Sequence, residues 1–359
     1  MVKQSVVILF GGISSEHEVA CNSAASILKN IDTELWDVYK VGIAKDGSWL
    51  LTEASPEEIE NGSWLGHELN QDVTISANRK YSGLYNFNTG ETYKVDCIFP
   101  VLHGMFGEDG TVQGLCEVAG IPYVGCDVPS SALSMDKALT KRIVNETEIT
   151  QADYLCFKKG DIEEQAKQIK EYFIGKYPLF VKPAKGGSSV GISRVPNEDA
   201  ITDALEEAYK YDHSIVVEEG ITGREIEVAV LGYDYQNLIA SNIGEIIVQD
   251  GFYSYASKYG DEEVGIVSAQ TRIITDLEDK LVNEIKEDAK TVYATLGCKG
   301  LSRVDFFLTP DNRVIFNEIN TMPGFTKISM YPKLMDGIGI KYRDLITTLI
   351  KDAIANYDL

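Results

Sequence analysis

Two apolar runs joined by a short turn, each interrupted by one carboxylate, constrain this chain most. Residues 302–308 and 313–318 alternate or run apolar and are rich in Val, Ile and Phe, with Thr309-Pro310-Asp311-Asn312 as turn residues between them. This pattern predicts a hairpin. Asp305 stands between Val304 and Phe306-Phe307, and Glu318 follows the run Val314-Ile315-Phe316, so both interrupt strands where an unpaired charge is costly. Asn320, two residues on, adds a third oxygen donor on a neighbouring backbone. Such a donor set suits Mg2+ with phosphates supplying the remaining ligands. Arg303 is a second cation able to offset the same cost, and simple solvation of strand-end acids is the plain alternative for each residue alone.

With 359 residues, 44% of them hydrophobic, the chain can bury a large core and divide into two or three domains. No apolar run reaches the ~20 residues that span a bilayer, and the N-terminal MVKQSVVILFGG enters a strand too early for a signal peptide, which leads us to expect a cytoplasmic protein. The six cysteines are scattered with no C-x-x-C pair, as in reduced core residues. A net charge of −22 without a basic stripe excludes nucleic acid and anionic membrane as partners. Any polyanion bound here must be small and locally neutralised by a few well-placed lysines and arginines.

Strands alternate with helical patterns, which predicts α/β construction. Residues 6–10 form an apolar run ending in Gly11-Gly12, then a helical pattern from 15 to about 31 carries Glu18 three residues after Ser15, the spacing of a capping box. Strands are expected at 36–43, 48–51 and 95–102, the last delivering His103 and Gly104 at its C-terminal end, where such sheets bind ligands. We expect three units: 1–127, a parallel-sheet domain; 128–219; and 220–359. The second contains a helix opening at Pro129-Ser130 that carries Lys137, strands at 179–183 and 190–195, a helix at 198–209 and a strand at 215–219. The third contains a strand at 226–231, a helix at 277–296, the hairpin, and a closing helix at 342–355.

The sequence contains neither a Walker A motif nor the dinucleotide G-x-G-x-x-G. KPAKGGSSVGIS, residues 182–193, offers backbone N–H and hydroxyl donors beside Lys182, which suits a phosphate, although a Gly-Ser turn is also often only a mobile surface loop. Residues 251–265, GFYSYASKYGDEEVG, are aromatic first and polar after, the composition of a lid with Lys258 and Tyr259 as its working residues.

These segments together resemble the D-alanine:D-alanine ligases of the ATP-grasp superfamily over essentially the whole chain. The resemblance rests on LFGGISSEHEV (9–19), FPVLHGMFGEDGTVQG (99–114), SALSMDK (131–137), FVKPAKGGSSVGIS (180–193), REIEVAVLG (224–232), FYSYASKY (252–259), SRVDFF (302–307) and NEINTMPGFTKISMYPKL (317–334). It implies a three-domain ATP-grasp fold, two α+β domains clamping the nucleotide beside the N-terminal domain, and formation of D-alanyl-D-alanine for peptidoglycan through an acyl phosphate. By matching position it implies that Lys137, Lys182 and Ser189 contact nucleotide phosphates, Glu218 and Glu219 the adenine, Glu225 the ribose, and Lys258 the transferred phosphoryl group. Asp305, Glu318 and Asn320 would hold two Mg2+ ions, replaceable by Mn2+.

Glu16 would anchor the ammonium of the first D-alanine with His103 nearby, although His103 also reads as a structural histidine. Ser188, Tyr259 and Glu16 would tie flap, lid and first domain together. Arg303 and the Gly324 N–H would form the oxyanion site, and Ser329 and Met330 would line the second amino-acid pocket. In D-serine and some D-lactate relatives an arginine stands at the position of Met330 and the lid tyrosine is replaced; Met330 and Tyr259 match the D-alanine type. A homodimer is a further implication. Ser254, Ala20 and Val267-Ser268-Ala269 depart from the family pattern.

Overall fold

The computed structural model describes residues 3–187, 190–247 and 270–357. Three sheets follow one another along the chain. In the first, Gln4–Gly11 pairs in parallel with Trp36–Ile43 on one side and Cys97–Pro100 on the other. Four short antiparallel strands, from Trp49–Leu51 to Thr92–Tyr93, extend this parallel part to seven strands. The turn after the first strand needs glycine, since Gly11 and Gly12 have φ of 84° and 100°, where a side chain is strained. It leads into the helix His17–Asn30.

The capping box expected from Ser15 and Glu18 does not form. Glu16 occupies the cap position without a side-chain cap bond, and Glu18 pairs with Lys45 instead. A capping box does form at Ser55 and Glu58, ahead of the short helix Pro56–Glu60.

The second sheet is antiparallel and joins Tyr154–Lys158, Leu179–Pro183, Ser193–Val195 and Ser214–Glu219. Strand alternation separates its faces. Leu179, Val181, Ile215 and Val217 share one core with Ile169, Phe173, Ile201 and Leu205, whereas Phe180, Lys182 and Glu218 face a cavity. The helix expected from Pro129 is two helices, Val128–Met135 and Lys137–Val144. Asp136 breaks them, because its carboxylate accepts the N–H groups of Ala138 and Leu139, both at 3.1 Å. Lys137 thereby opens the second helix.

The third sheet is antiparallel, with Gly300–Leu308 between Arg224–Gly232 and Val314–Asn320. Ile226, Val228, Val304 and Phe306 form a core with Ile285, Ala289 and Val292 of the helix Asp279–Thr295. The closing helix Tyr342–Ala355 buries Leu345, Ile346, Leu349 and Ile350 in one core with Val6, Ile8 and Phe10 of the first strand. Each such side chain contributes about 1.5–3 kcal/mol when fully buried. The closing helix and the first sheet thus share one core.

Candidate active site

A cavity of about 290 Å3 is lined by strand residues of the second and third sheets and by loop and helix residues that follow strands of the first, among them Glu16, His103, Lys137, Lys182, Arg303 and Gly324. Its floor is the polar face of the third sheet. Arg303 pairs in register with Asn320, Asp305 with Glu318, and Asp305 on its other side with Glu227. Directly paired residues project to the same face, so these five residues converge there while Val304 and Ile319 point into the core. A register shift between Asp305 and Phe306 restores the pairing beyond.

Arg303 grips Asp305 with two bonds, Nε to Oδ1 at 2.7 Å and Nη2 to Oδ2 at 2.6 Å, and its Nε lies 3.1 Å from Glu227. Asn320 Nδ2 donates to Asp305 Oδ2 at 2.9 Å. Burial alone would lower the Arg303 pKa, but Asp305 and Glu227 raise it well above its ordinary value. The guanidinium is a fixed positive charge.

Across the cavity, Lys137 Nζ donates to the Gly186 carbonyl at 2.7 Å and stands 3.8 Å from Glu318. Lys182 Nζ bonds Glu218 Oε2 at 2.7 Å, and Lys141 Nζ reaches the other oxygen at 2.9 Å. Lys141 is only 2% exposed and lies over the Tyr154 ring, 5.2 Å from its centroid. Burial opposes ionisation of Glu218, yet the two lysines hold its pKa down at about 2. Glu219 accepts the Asp153 N–H at 3.1 Å, and Glu225 lines the cavity.

At the other end, Ser14 Oγ donates to the His103 carbonyl at 2.7 Å and accepts the Glu16 N–H at 3.2 Å. Gly187 passes close over Glu16, since an added Cβ would stand 3.0 Å from Oε2. His103 is buried, with Nδ1 donating to the Met322 carbonyl at 2.9 Å and Nε2 facing Ser23 Oγ at 3.1 Å. Burial lowers its pKa, against the pull of Glu16, so the ring is neutral.

Sequence reasoning brought Glu16, His103, Lys137, Lys182, Glu218, Glu219, Glu225, Arg303, Asp305, Glu318, Asn320 and Gly324 to this one cavity. Ser188, Ser189, Lys258 and Tyr259, and with them the expected lid, lie outside the described residues. Met330 is buried and lines a neighbouring cavity of about 390 Å3, and Ser329 Oγ accepts the Thr326 N–H at 3.1 Å beside Gly324. Sequence reasoning missed Glu108, Lys141 and Glu227. Only Glu227 left a local signal, the period-two alternation with Glu225 in REIEVAV.

The donor set fits a divalent cation. Asp305, Glu318 and Asn320 offer hard oxygens from adjacent strands, facing an excess of carboxylate over arginine. All six cysteines are unpaired, and no helix among the described residues is long and apolar enough to cross a membrane.

Residues 5–126 match the family model of the D-ala D-ala ligase N-terminus, and residues 143–351 that of the C-terminus. The chain is 44% identical to the D-alanine–D-alanine ligase of Acetivibrio thermocellus, covering 99% of this chain and 97% of that protein. It is 43% identical to D-alanine–D-alanine ligase A of Escherichia coli O6:H1, over 99% and 97% respectively. Among solved structures it resembles the VanG D-Ala:D-Ser ligase of Enterococcus faecalis (TM-score 0.88, 38% identity, 98% of this chain and 100% of that one). It also resembles the D-alanine–D-alanine ligase of Coxiella burnetii (TM-score 0.86, 34% identity, 98% and 94%).

Proposed function

This chain belongs to the D-alanine–D-alanine ligase family, and on that premise we propose how its residues divide the work of the reaction. The enzyme is an ATP-dependent ligase that joins two D-alanine molecules into the dipeptide used for peptidoglycan. A carboxylate is a poor electrophile. Transfer of the γ-phosphoryl group of ATP to the first D-alanine makes an acyl phosphate, the amine of the second attacks its carbonyl, and the tetrahedral intermediate collapses with loss of phosphate and the proton of the amine. Positioning and charge neutralisation are what the protein supplies.

Glu16 holds the ammonium of the first D-alanine. Lys137 and Lys182, with Ser189 of the flap, neutralise nucleotide phosphates; the Glu218-Glu219 segment receives the adenine and Glu225 the ribose. Lys182 must pass from Glu218 toward the phosphates, and Lys141 remains to keep Glu218 paired when it does. Asp305, Glu318 and Asn320 would hold Mg2+, which would supply charge neutralisation for the nucleotide phosphates. Arg303, clamped by Asp305, and the N–H of Gly324 receive the charge that grows on the attacked carbonyl. Lys258 contributes at the transferred phosphoryl group, Ser188 and Tyr259 link flap and lid to Glu16, and Ser329 and Met330 shape the second amino-acid subsite. The observation that carries this reading is the convergence of Arg303, Asp305, Glu318 and Asn320 on one sheet face opposite Lys137 and Lys182.

The boundaries 1–127, 128–219 and 220–359, a homodimer and a cytoplasmic location complete the proposal. The test is incubation of purified protein with Mg-ATP and D-alanine, alone or with D-serine or D-lactate, and resolution of the products by mass. D-alanyl-D-alanine from D-alanine alone is expected; product only when D-serine or D-lactate is added would move the chain to the variant ligases.

A further inference from the structure

We propose that Glu108, acting with His103, is a positioning residue that fixes the Gly324 N–H for the second chemical step by gripping the backbone of Met322 from the N-terminal sheet. This rests on the reading of Gly324 as an oxyanion donor. Met322 lies two residues before Gly324, and both of its peptide polar groups are held by side chains more than 200 residues away. Its N–H donates to Glu108 Oε1 at 3.1 Å and its carbonyl accepts from His103 Nδ1 at 2.9 Å. On the far side of Gly324, the Phe325 N–H donates to Ser23 Oγ at 3.3 Å, and that hydroxyl faces His103 Nε2 at 3.1 Å. The acceptor at Met322 O requires the proton on Nδ1, so Ser23 donates to Nε2. Gly324 is thus bracketed on both sides, with Pro323 stiffening the link.

The grip needs a carboxylate. The second oxygen of Glu108 accepts the Gly104 N–H at 2.7 Å, next to His103 itself, so both oxygens face N–H donors. An amide in its place turns its NH2 toward one of them. Glu108 also lines the cavity beside Glu16. Burial first, then the charge of Glu16, pushes its pKa up to about 8. The N–H groups of Gly104 and Met322 and the charge of Arg303 pull the other way, toward the ionised form that accepts both N–H groups.

A loop displaced by about 1 Å costs on the order of 10²-fold in the step it serves. The two steps are separable. Scrambling of an oxygen label between bridging and non-bridging positions of ATP in the presence of D-alanine reports acyl-phosphate formation and return, and dipeptide release reports the attack that Gly324 assists. For Glu108→Gln we expect dipeptide formation to fall about 10–10²-fold, with KM for ATP unchanged, while scrambling per turnover rises. Should that variant fold poorly by thermal melting, Ser23→Ala removes only the hydroxyl between His103 and Phe325 and gives the same split at smaller amplitude. Parallel loss of scrambling and dipeptide in the folded variants, or unaltered rates, overturns the proposal. No D-alanine-dependent scrambling in the unsubstituted enzyme would instead sink the acyl-phosphate reading beneath it.

Discussion

On the third sheet, Glu227, Asp305 and Glu318 gather around Arg303, with Lys137 3.8 Å from Glu318. On the second sheet the proportion is reversed, and the single carboxylate Glu218 lies between Lys141 and Lys182. Both networks are largely withdrawn from water, where an ion pair adds little net stability but a lost partner is costly. In the proposed reading each leaves over the charge that its ligand lacks: the acidic face would receive cations, and Lys182 of the basic pair would receive phosphate while Lys141 keeps Glu218 paired. In a chain of net charge −22 the positive cluster cannot come from bulk composition. It is made locally, by burying two lysines around one glutamate.

The largest effect is expected where the acidic face is opened. Glu318→Ala should lower ATP turnover by at least about 10³-fold with an unchanged circular dichroism spectrum; near-normal turnover would remove the metal assignment. Arg303→Met should strip the acidic face of its one internal cation, leaving Asp305 and Glu227 as buried charges, and lower the unfolding free energy in urea by about 3–5 kcal/mol. Arg303→Lys should recover part of that stability and little activity, because an ammonium cannot reproduce the two-bond grip on Asp305.

The basic cluster has its own signature in pH. Glu218 is held at about 2 against its ordinary 4.5. A depressed carboxylate contributes stability that is complete above the unfolded value and lost as pH falls through the folded one. The stability difference between the unsubstituted protein and Glu218→Gln should therefore stay level from pH 7 to 5, then shrink by about 3 kcal/mol toward pH 2; urea melts across that range check it. The smallest effect is expected for Lys141→Met. With Glu218 left to hold Lys182 alone, KM for ATP should rise about tenfold, equivalent to about 1.4 kcal/mol, with kcat altered far less. An equal fall in kcat with KM unchanged would mean that Lys141 is not coupled to nucleotide binding.

The elements legible in the sequence were those whose pattern is local. The strand Leu179–Pro183 and the helix Tyr342–Ala355 have the bounds that their apolar spacing predicts; the hairpin strands run two residues past their expected outer ends, to 300 and 320, and the second begins one residue later than expected, at 314. Local competition misled elsewhere. Asp136 caps a new helix where a continuous one was expected, Glu18 prefers Lys45 to a capping role, and the strand expected at 190–195 keeps only Ser193–Val195. At the site, carboxylates that interrupt apolar runs were visible because their cost is visible. Lys141 was not, since a lysine on an amphipathic helix looks like surface until Glu218, 77 positions later, is folded against it. Glu108 was hidden likewise, as its partner Met322 lies 214 positions away.

The acidic face of the third sheet is proposed to hold a divalent cation for D-alanine ligation. The most direct test is dipeptide formation from D-alanine and ATP titrated with Mg2+, comparing the unsubstituted enzyme with Asp305→Asn. Turnover is expected to depend saturably on Mg2+, to vanish in excess chelator, and to need much higher Mg2+ in the variant. Equal turnover in chelator, or identical titrations for the two proteins, would contradict that assignment.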